Sequence, residues 1–293
     1  MVQPRARTAN RFVRDGKSLV SVVSVQDNIK ASVRRSLDLL GGLRRLINPG
    51  DRVLLKPNLV RDNPAPCSTP LDILRAVVEL LREAGAGAIT IGEHTGIVCE
   101  KTRPVYHTLG YDAFAAEVGV ELVAFDEGDW LEMKLPGRLW EPFLVPKVIY
   151  EAEKRIYLPC LKVHPQARYT NALKMMVGCT HLGQRRLLHA GGQPDLERRV
   201  AELNLAWQPD LVITDGRKAF VTGGPANGDM VEPGLVMASG DPVAIDVEAV
   251  RILQRYPANN GLTLPPWETP VIAYAVELGL GAKDDTGVEV IRE

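Results

Sequence analysis

Short apolar runs alternate with longer amphipathic stretches along most of the chain. Bounded apolar runs read as buried strands, and apolar positions three and four apart read as helix faces. Residues 19–25 predict a first strand, followed by a helix capped by Asp27 and running to about residue 47. Asn48-Pro49-Gly50-Asp51 is a turn by composition. Residues 52–55 predict a strand that delivers Lys56-Pro57-Asn58 at its C-terminal end. A proline-rich loop with Cys67 follows. Ser68 or Thr69 then caps a helix with Pro70 in its first turn and Leu71, Leu74, Val77, Val78 and Leu81 on its apolar side. That helix ends at Gly85. Residues 88–91 predict the next strand, which runs into Gly92-Glu93-His94-Thr95-Gly96, with Cys99 in the loop beyond. Such a βαβ pattern predicts parallel neighbours joined by a right-handed crossover. The loop with Asn58 and Cys67 and the loop with Glu93 and Cys99 are therefore expected on one sheet edge.

Residues 105–118 predict one or two short helices broken at Gly110, and residues 121–125 a strand. The pattern is least regular at 126–148, where 130–135 and 140–145 could pair. Ile156-Tyr157-Leu158 predicts a buried strand broken at Pro159. Cys160, Lys162 and His164 are then expected in a loop closed by Pro165. From Tyr169 the pattern turns helical, with Asn171 and Lys174 on one face and Gly178 as its end. Cys179 and His181 follow. Residues 182–194 read as a polar loop or mobile segment carrying Arg185, Arg186 and His189. Beyond it lie a helix at 195–206, a strand at 211–213 ending in Asp215-Gly216, and a glycine-rich loop at 220–229. A strand at 235–238 precedes a helix capped by Asp241, with Pro242 in its first turn. A helix at 270–278 and a strand at 288–291 close the pattern. The fold class expected is α/β: a mostly parallel sheet with helices on both faces, plus a small irregular subdomain. Residues 1–16 are expected to be a basic disordered tail, and 17–293 one domain with a subdomain at 126–148.

Composition narrows the function. The chain has 293 residues, 45% of them hydrophobic, enough to bury the core of a large α/β domain. A net charge of −1 and 5% aromatic residues argue against a nucleic-acid footprint. No apolar run approaches the length of a membrane span. The apolar run at 19–25 is too short and too serine-rich for a secretory core, so a cytoplasmic protein is expected. Four cysteines in that setting are reduced thiols or metal ligands rather than disulfides.

Candidate chemistry gathers at the expected strand ends, with 154–181 at its centre. Lys56, Asn58, Lys162, His164, Asn171 and Lys174, with Arg185, Arg186 and His181 near them in sequence, suit a small carboxylate or phosphate metabolite. Each lysine taken singly reads as solvated or salt-bridged. His164 is the expected acid–base group, Glu93 or Asp215 its partner, and Lys162 a charge-holding group. Asp241 reads more simply as a helix cap than as a base, and Asp246 lies one turn further on. Cys67, Cys99, Cys160 and Cys179 each fall beyond a strand, so they could converge on one [4Fe–4S] cluster. A zinc site or four separate buried thiols fit the same four residues. A cluster would bring a redox partner protein with it, and a non-catalytic electron carrier or ligand-binding protein is the competing class. The chain has no Gly-x-Gly-x-x-Gly, Walker-A or Gly-x-Ser-x-Gly pattern. The oligomeric state is not legible.

Eight motifs, in order, carry a resemblance. They are Lys56-Pro57-Asn58, Ser68-Thr69-Pro70, Gly92-Glu93, Leu161-Lys162-Val163-His164, Asn171-Ala172-Leu173-Lys174, Gly178, Asp215-Gly216 and Gly240-Asp241-Pro242. From about residue 20 to about residue 255 the chain resembles domain-of-unknown-function family 362. The resemblance implies the α/β fold and the position of the site, but no general reaction. Some members look like iron–sulfur proteins because they append a ferredoxin-type module. This chain has no Cys-x-x-Cys, so such a module is absent from it.

Overall fold

Alternation within the strands decides the architecture. The structure is a computed structural model that describes residues 1–6, 8–26, 28–136 and 141–293. Its principal elements are β1 (Lys17–Ser24), α1 (Ile29–Leu39), β2 (Arg52–Pro57), α2 (Leu71–Ala84), β3 (Ala88–Glu93), β4 (Glu121–Ala124), β5 (Lys154–Leu158), β6 (Cys160–His164), α3 (Leu182–Ala190), α4 (Gly192–Leu203), β7 (Leu211–Phe220), β8 (Leu235–Ser239) and α5 (Pro242–Gln254). Successive strand residues point to opposite sheet faces. Val53, Leu55, Ile156, Leu158, Leu211 and Ile213 pack with Val33 and Leu37 of α1 and Leu74, Val77 and Leu81 of α2. Leu54, Tyr157, Val212 and Met237 pack on the other side with Val200 of α4 and Val247 and Val250 of α5. Both faces are thus covered by helices, which is why the strands read as unbroken apolar runs.

The strand order is β1–β8–β7–β5–β2–β3–β4. The stretch from β7 through β5, β2 and β3 to β4 is parallel. Val288–Arg292 adds in parallel beside β1, whereas β8 runs antiparallel to both β1 and β7. The mixed α/β class with a mostly parallel central sheet is the one expected. The βαβ unit β2–α2–β3 puts Lys56 and Glu93 at neighbouring C-terminal strand ends. Asp241 caps α5, its Oδ1 accepting from the backbone N–H groups of Val243 and Ala244 at 3.0 Å.

Several local expectations are corrected. The first helix starts from Asn28, whose Oδ1 accepts from Ala31 N at 3.1 Å; the expected cap Asp27 lies outside the described residues. Where a free tail was expected at 1–16, several of its described residues are held to the domain. Phe12 is fully buried, Val13–Arg14 pairs with β1, and Arg5 N donates to Ala206 O at 2.8 Å. Within 126–148, Trp130–Met133 and Phe143–Pro146 form an antiparallel pair whose Met133, Phe143 and Val145 join the main core; Trp140 lies outside the described residues.

The largest correction is at 160–190. Cys160–His164 is a strand, not a loop. It pairs with β7 and turns back into Arg168–Thr170, with Tyr169 opposite Val163. The expected helix is a 3-10 turn, Leu173–Cys179, and Gly178 lies inside it. The expected polar loop at 182–194 is mostly helix, α3 and the start of α4.

Candidate active site

The C-terminal ends of β2, β3 and β6, together with the 3-10 turn, α3 and the 225–226 loop, surround a cavity of about 450 Å³. Lys56, Asn58, Glu93, His94, His164, Lys174, Arg185 and His189 line it. The rest of the lining is largely apolar, with Leu59, Val60, Ile97, Val98, Pro225 and Ala226, and it includes Arg61 and Gln166. Val98 is 69% exposed there.

Lys56 and Glu93 form the buried floor. Nζ donates to Oε2 at 2.7 Å, with side-chain exposures of 1% and 2%. Glu93 Oε1 also accepts from His94 N at 2.8 Å. Burial pushes the Glu93 carboxyl above its ordinary range, against the pull of Lys56. Gly178 is required beside this pair. A Cβ there would lie 2.2 Å from Glu93 Oε1 and 2.6 Å from Lys56 Nζ.

The remaining cations meet no such carboxylate in the cavity wall. Lys162 donates to Asn58 Oδ1 at 2.6 Å, Cys67 O at 2.7 Å and Pro66 O at 2.8 Å. All three of its hydrogens are thereby committed to neutral acceptors. It does not line the cavity, and these bonds tie it to the 58–67 loop. Burial lowers its pKa. Arg185 donates to the carbonyls of His94, Thr95 and Thr180, while its buried Nε has no partner among the described residues. Lys174 lines the cavity and has no hydrogen-bond or ionic partner among the described residues. Burial first, then Lys162, Arg185 and Lys56, push it down to about 7. Among the described residues, Glu93 is the only carboxylate in the cavity lining.

The histidines divide by tautomer. His164 Nδ1 accepts from Gln166 N and Ala167 N, both at 3.1 Å. A backbone N–H can only donate, so the proton of the neutral ring is on Nε2. Burial first, then Lys174, hold His164 well below its ordinary pKa. His189 Nδ1 lies 2.8 Å from Arg185 O. A carbonyl can only accept, so here Nδ1–H donates and Nε2 is left with its lone pair. Burial lowers this pKa too. His94 is buried, and neither ring nitrogen has a partner among the described residues. Burial, then Arg185, push it down to about 3.

Of the residues expected at the site, Lys56, Asn58, Glu93, His164, Lys174 and Arg185 come together at the cavity. The others do not. Asn171 is buried behind it, accepting from Thr214 Oγ1 at 2.8 Å. Asp215 bonds Arg217 at 2.8 Å, and neither it nor Glu93 is hydrogen-bonded to His164. Arg186 pairs with Glu100 on the surface. His181 caps α3, its Nδ1 accepting from Gly183 N at 3.3 Å. His94 and His189, left open in the sequence, also line the cavity. The spacing of Arg185 and His189, four apart on one helix face, was the signal for His189.

Asp246 has a role hidden in the sequence. It accepts from Tyr169 Oη and Ala172 N at 2.8 Å and from Leu173 N at 3.2 Å. It thereby anchors the start of the turn that carries Lys174. Burial raises its carboxyl to about 7.

Among the described residues no group of three or more His, Cys, Asp or Glu side chains is placed to hold a metal ion. Cys160 Sγ lies 3.7 Å from Thr69 Oγ1, and Cys99 Sγ 3.8 Å from Val60 O. Burial raises the Cys160 and Cys179 thiols to about 12. Cys67 is buried as well. No described helix is long and apolar enough to cross a membrane.

Comparison with known proteins agrees with the motifs. The profile of the family described as Domain of unknown function (DUF362) matches residues 53–251. A thylakoid-associated protein of Synechocystis sp. is 33% identical over 258 residues, 86% of this chain and 76% of that protein. Among solved structures, the lactate racemase apoprotein of Thermoanaerobacterium thermosaccharolyticum aligns with a TM-score of 0.47 at 12% identity. That alignment covers 78% of this chain and spans 55% of the racemase chain.

Proposed function

The chain belongs to domain-of-unknown-function family 362, a membership that brings no reaction with it, and from the chemistry of the cavity we propose an enzyme acting on a small organic anion. The observation that carries this reading is the imbalance of buried charge. Lys56, Lys162, Lys174 and Arg185 influence the cavity, and Glu93 is the carboxylate set against them. Buried charge without a counter-charge is costly, and an anion in the cavity offsets that cost. The volume suits a metabolite, and the apolar residues of the lining suit one with a carbon chain.

Acid–base chemistry follows from the two imidazoles. His189 offers an Nε2 lone pair, and His164 an Nε2–H. Both rings are kept neutral by burial, so His189 Nε2 can take a proton while His164 Nε2–H donates a hydrogen bond to negative charge developing on the ligand. The neighbouring cations would stabilise negative charge developing on the bound anion. A carboxylate and a phosphate share the chemistry required.

A thermal-shift series tests the proposal with acetate, hexanoate, phosphate and the neutral hexanamide. Specific binding to the folded state raises the melting temperature as ligand is added. Hexanoate is expected to stabilise more than acetate, and hexanamide not at all. Equal shifts for hexanoate and hexanamide would overturn the reading.

A further inference from the structure

Lys174 stands apart from Lys56, Lys162 and Arg185. Lys56 is bonded to Glu93, Lys162 to three oxygens, and the terminal nitrogens of Arg185 to backbone carbonyls. Lys174 reaches the cavity with no acceptor or counter-ion among the described residues. Cations surround it, and His164 is close enough to feel its charge. An amine whose only purpose was an ion pair would gain most beside a carboxylate. This one is set among like charges, which favour its neutral form.

We infer that Lys174 is a nucleophile, and that its neutral amine forms an imine with the carbonyl carbon of a 2-oxo acid. The inference rests on the small-anion reading above and names its class: a carboxylate with an adjacent ketone or aldehyde carbon and an apolar chain. The step needs no oxidant and no co-reactant. The Nζ lone pair forms a C–N bond as the carbonyl π bond opens, and the oxygen, hydrogen-bonded by His164 Nε2–H at the cavity wall, takes a proton that the nitrogen sheds and His189 Nε2 relays. The carbinolamine then breaks its C–O bond, and the oxygen leaves as water. The two amine hydrogens become the two hydrogens of that water. Protonated on nitrogen, the imine withdraws electrons and activates the neighbouring carbon for proton removal.

Burial and like charges together hold Lys174 near 7. About half of it is then neutral at pH 7, against roughly one part in a few thousand for a lysine with the usual pKa of about 10.4. Selective labelling at neutral pH therefore tests the inference. The full chain is incubated with 2-oxohexanoate and sodium cyanoborohydride, followed by intact mass and peptide mapping. One reduced adduct at Lys174 is expected, absent in K174R, with a labelling rate that rises with pH to a midpoint near 7. The midpoint is read on the unaltered protein, so it does not depend on the variant folding. Adducts scattered over surface lysines with a midpoint near 10 would overturn the inference. Hexanoate that stabilises the protein while Lys174 stays unlabelled would overturn the imine and leave the anion reading standing. Absence of both would overturn both.

Discussion

Lys174 is a cost to the empty protein and an asset to the loaded one. Its folded pKa of about 7 lies below the ordinary 10.5. Between those values the unfolded chain holds more protons, so the stability contribution rises with pH across the window and the penalty is full below 7. K174M should therefore raise the melting temperature of the unliganded protein at pH 6 and raise it less at pH 10, as calorimetry would read. The same variant should weaken hexanoate binding by about tenfold or more, the loss of a charged hydrogen bond of roughly 1.5–3 kcal/mol. Glu93 should show the opposite trade. E93Q leaves Lys56 buried without its counter-charge. We expect about 3–5 kcal/mol lost in urea unfolding, the range for breaking a buried ion pair. Anion affinity in the folded fraction should increase, because the one lining carboxylate has gone. A variant that loses stability and affinity together would place Glu93 in direct ligand binding instead.

Elements at the site were legible where local pattern and burial agreed. The strand–loop–helix–strand from Arg52 to Glu93 could be read because apolar runs, a helix with Pro70 at its start and Gly85 at its end all pointed the same way. The hairpin after Pro159 could not. Lys162 and His164 are polar residues in a fully buried strand, and the burial of Lys162 depends on Asn58 and the carbonyls of Pro66 and Cys67, some hundred residues away. Helix α3 was read as a loop because Arg185 occupies its buried face, where its partners are backbone carbonyls that leave no trace in residue type. The 3-10 turn is likewise set from a distance, by Asp246 of α5. D246A removes acceptors from two backbone N–H groups and the Tyr169 hydroxyl. It should cost about 2–4 kcal/mol, several unmet hydrogen bonds at roughly 1–3 kcal/mol each partly relieved by water entry. Hexanoate affinity should fall with it as Lys174 loses its fixed position. D246N keeps one acceptor oxygen and should retain most of both. Equal damage from the two variants would show that the charge, not the hydrogen bonding, is what the turn requires.

At the scale of the whole molecule, the chain's net charge of −1 conceals the charged cavity. Arginines and lysines on the outside are largely matched by acidic neighbours, as in the pairs Arg14–Glu289, Arg75–Glu117 and Arg251–Asp285. The unmatched cations are buried at the ends of parallel strands, where loops from β2, β3 and β6 meet. Composition cannot separate these two populations; topology does, because parallel strands bring distant motifs to one edge. That is also why the motif residues Lys56, Asn58, Glu93, His164 and Lys174 gather at the cavity. The most direct measurement is calorimetric titration of the unaltered protein with hexanoate at pH 6 and pH 9. If Lys174 and its neighbouring cations hold the anion, hexanoate binds at pH 6 and weakens by about tenfold or more at pH 9, as Lys174 loses its proton. An affinity that does not change with pH, or that hexanamide matches at pH 6, would contradict the account.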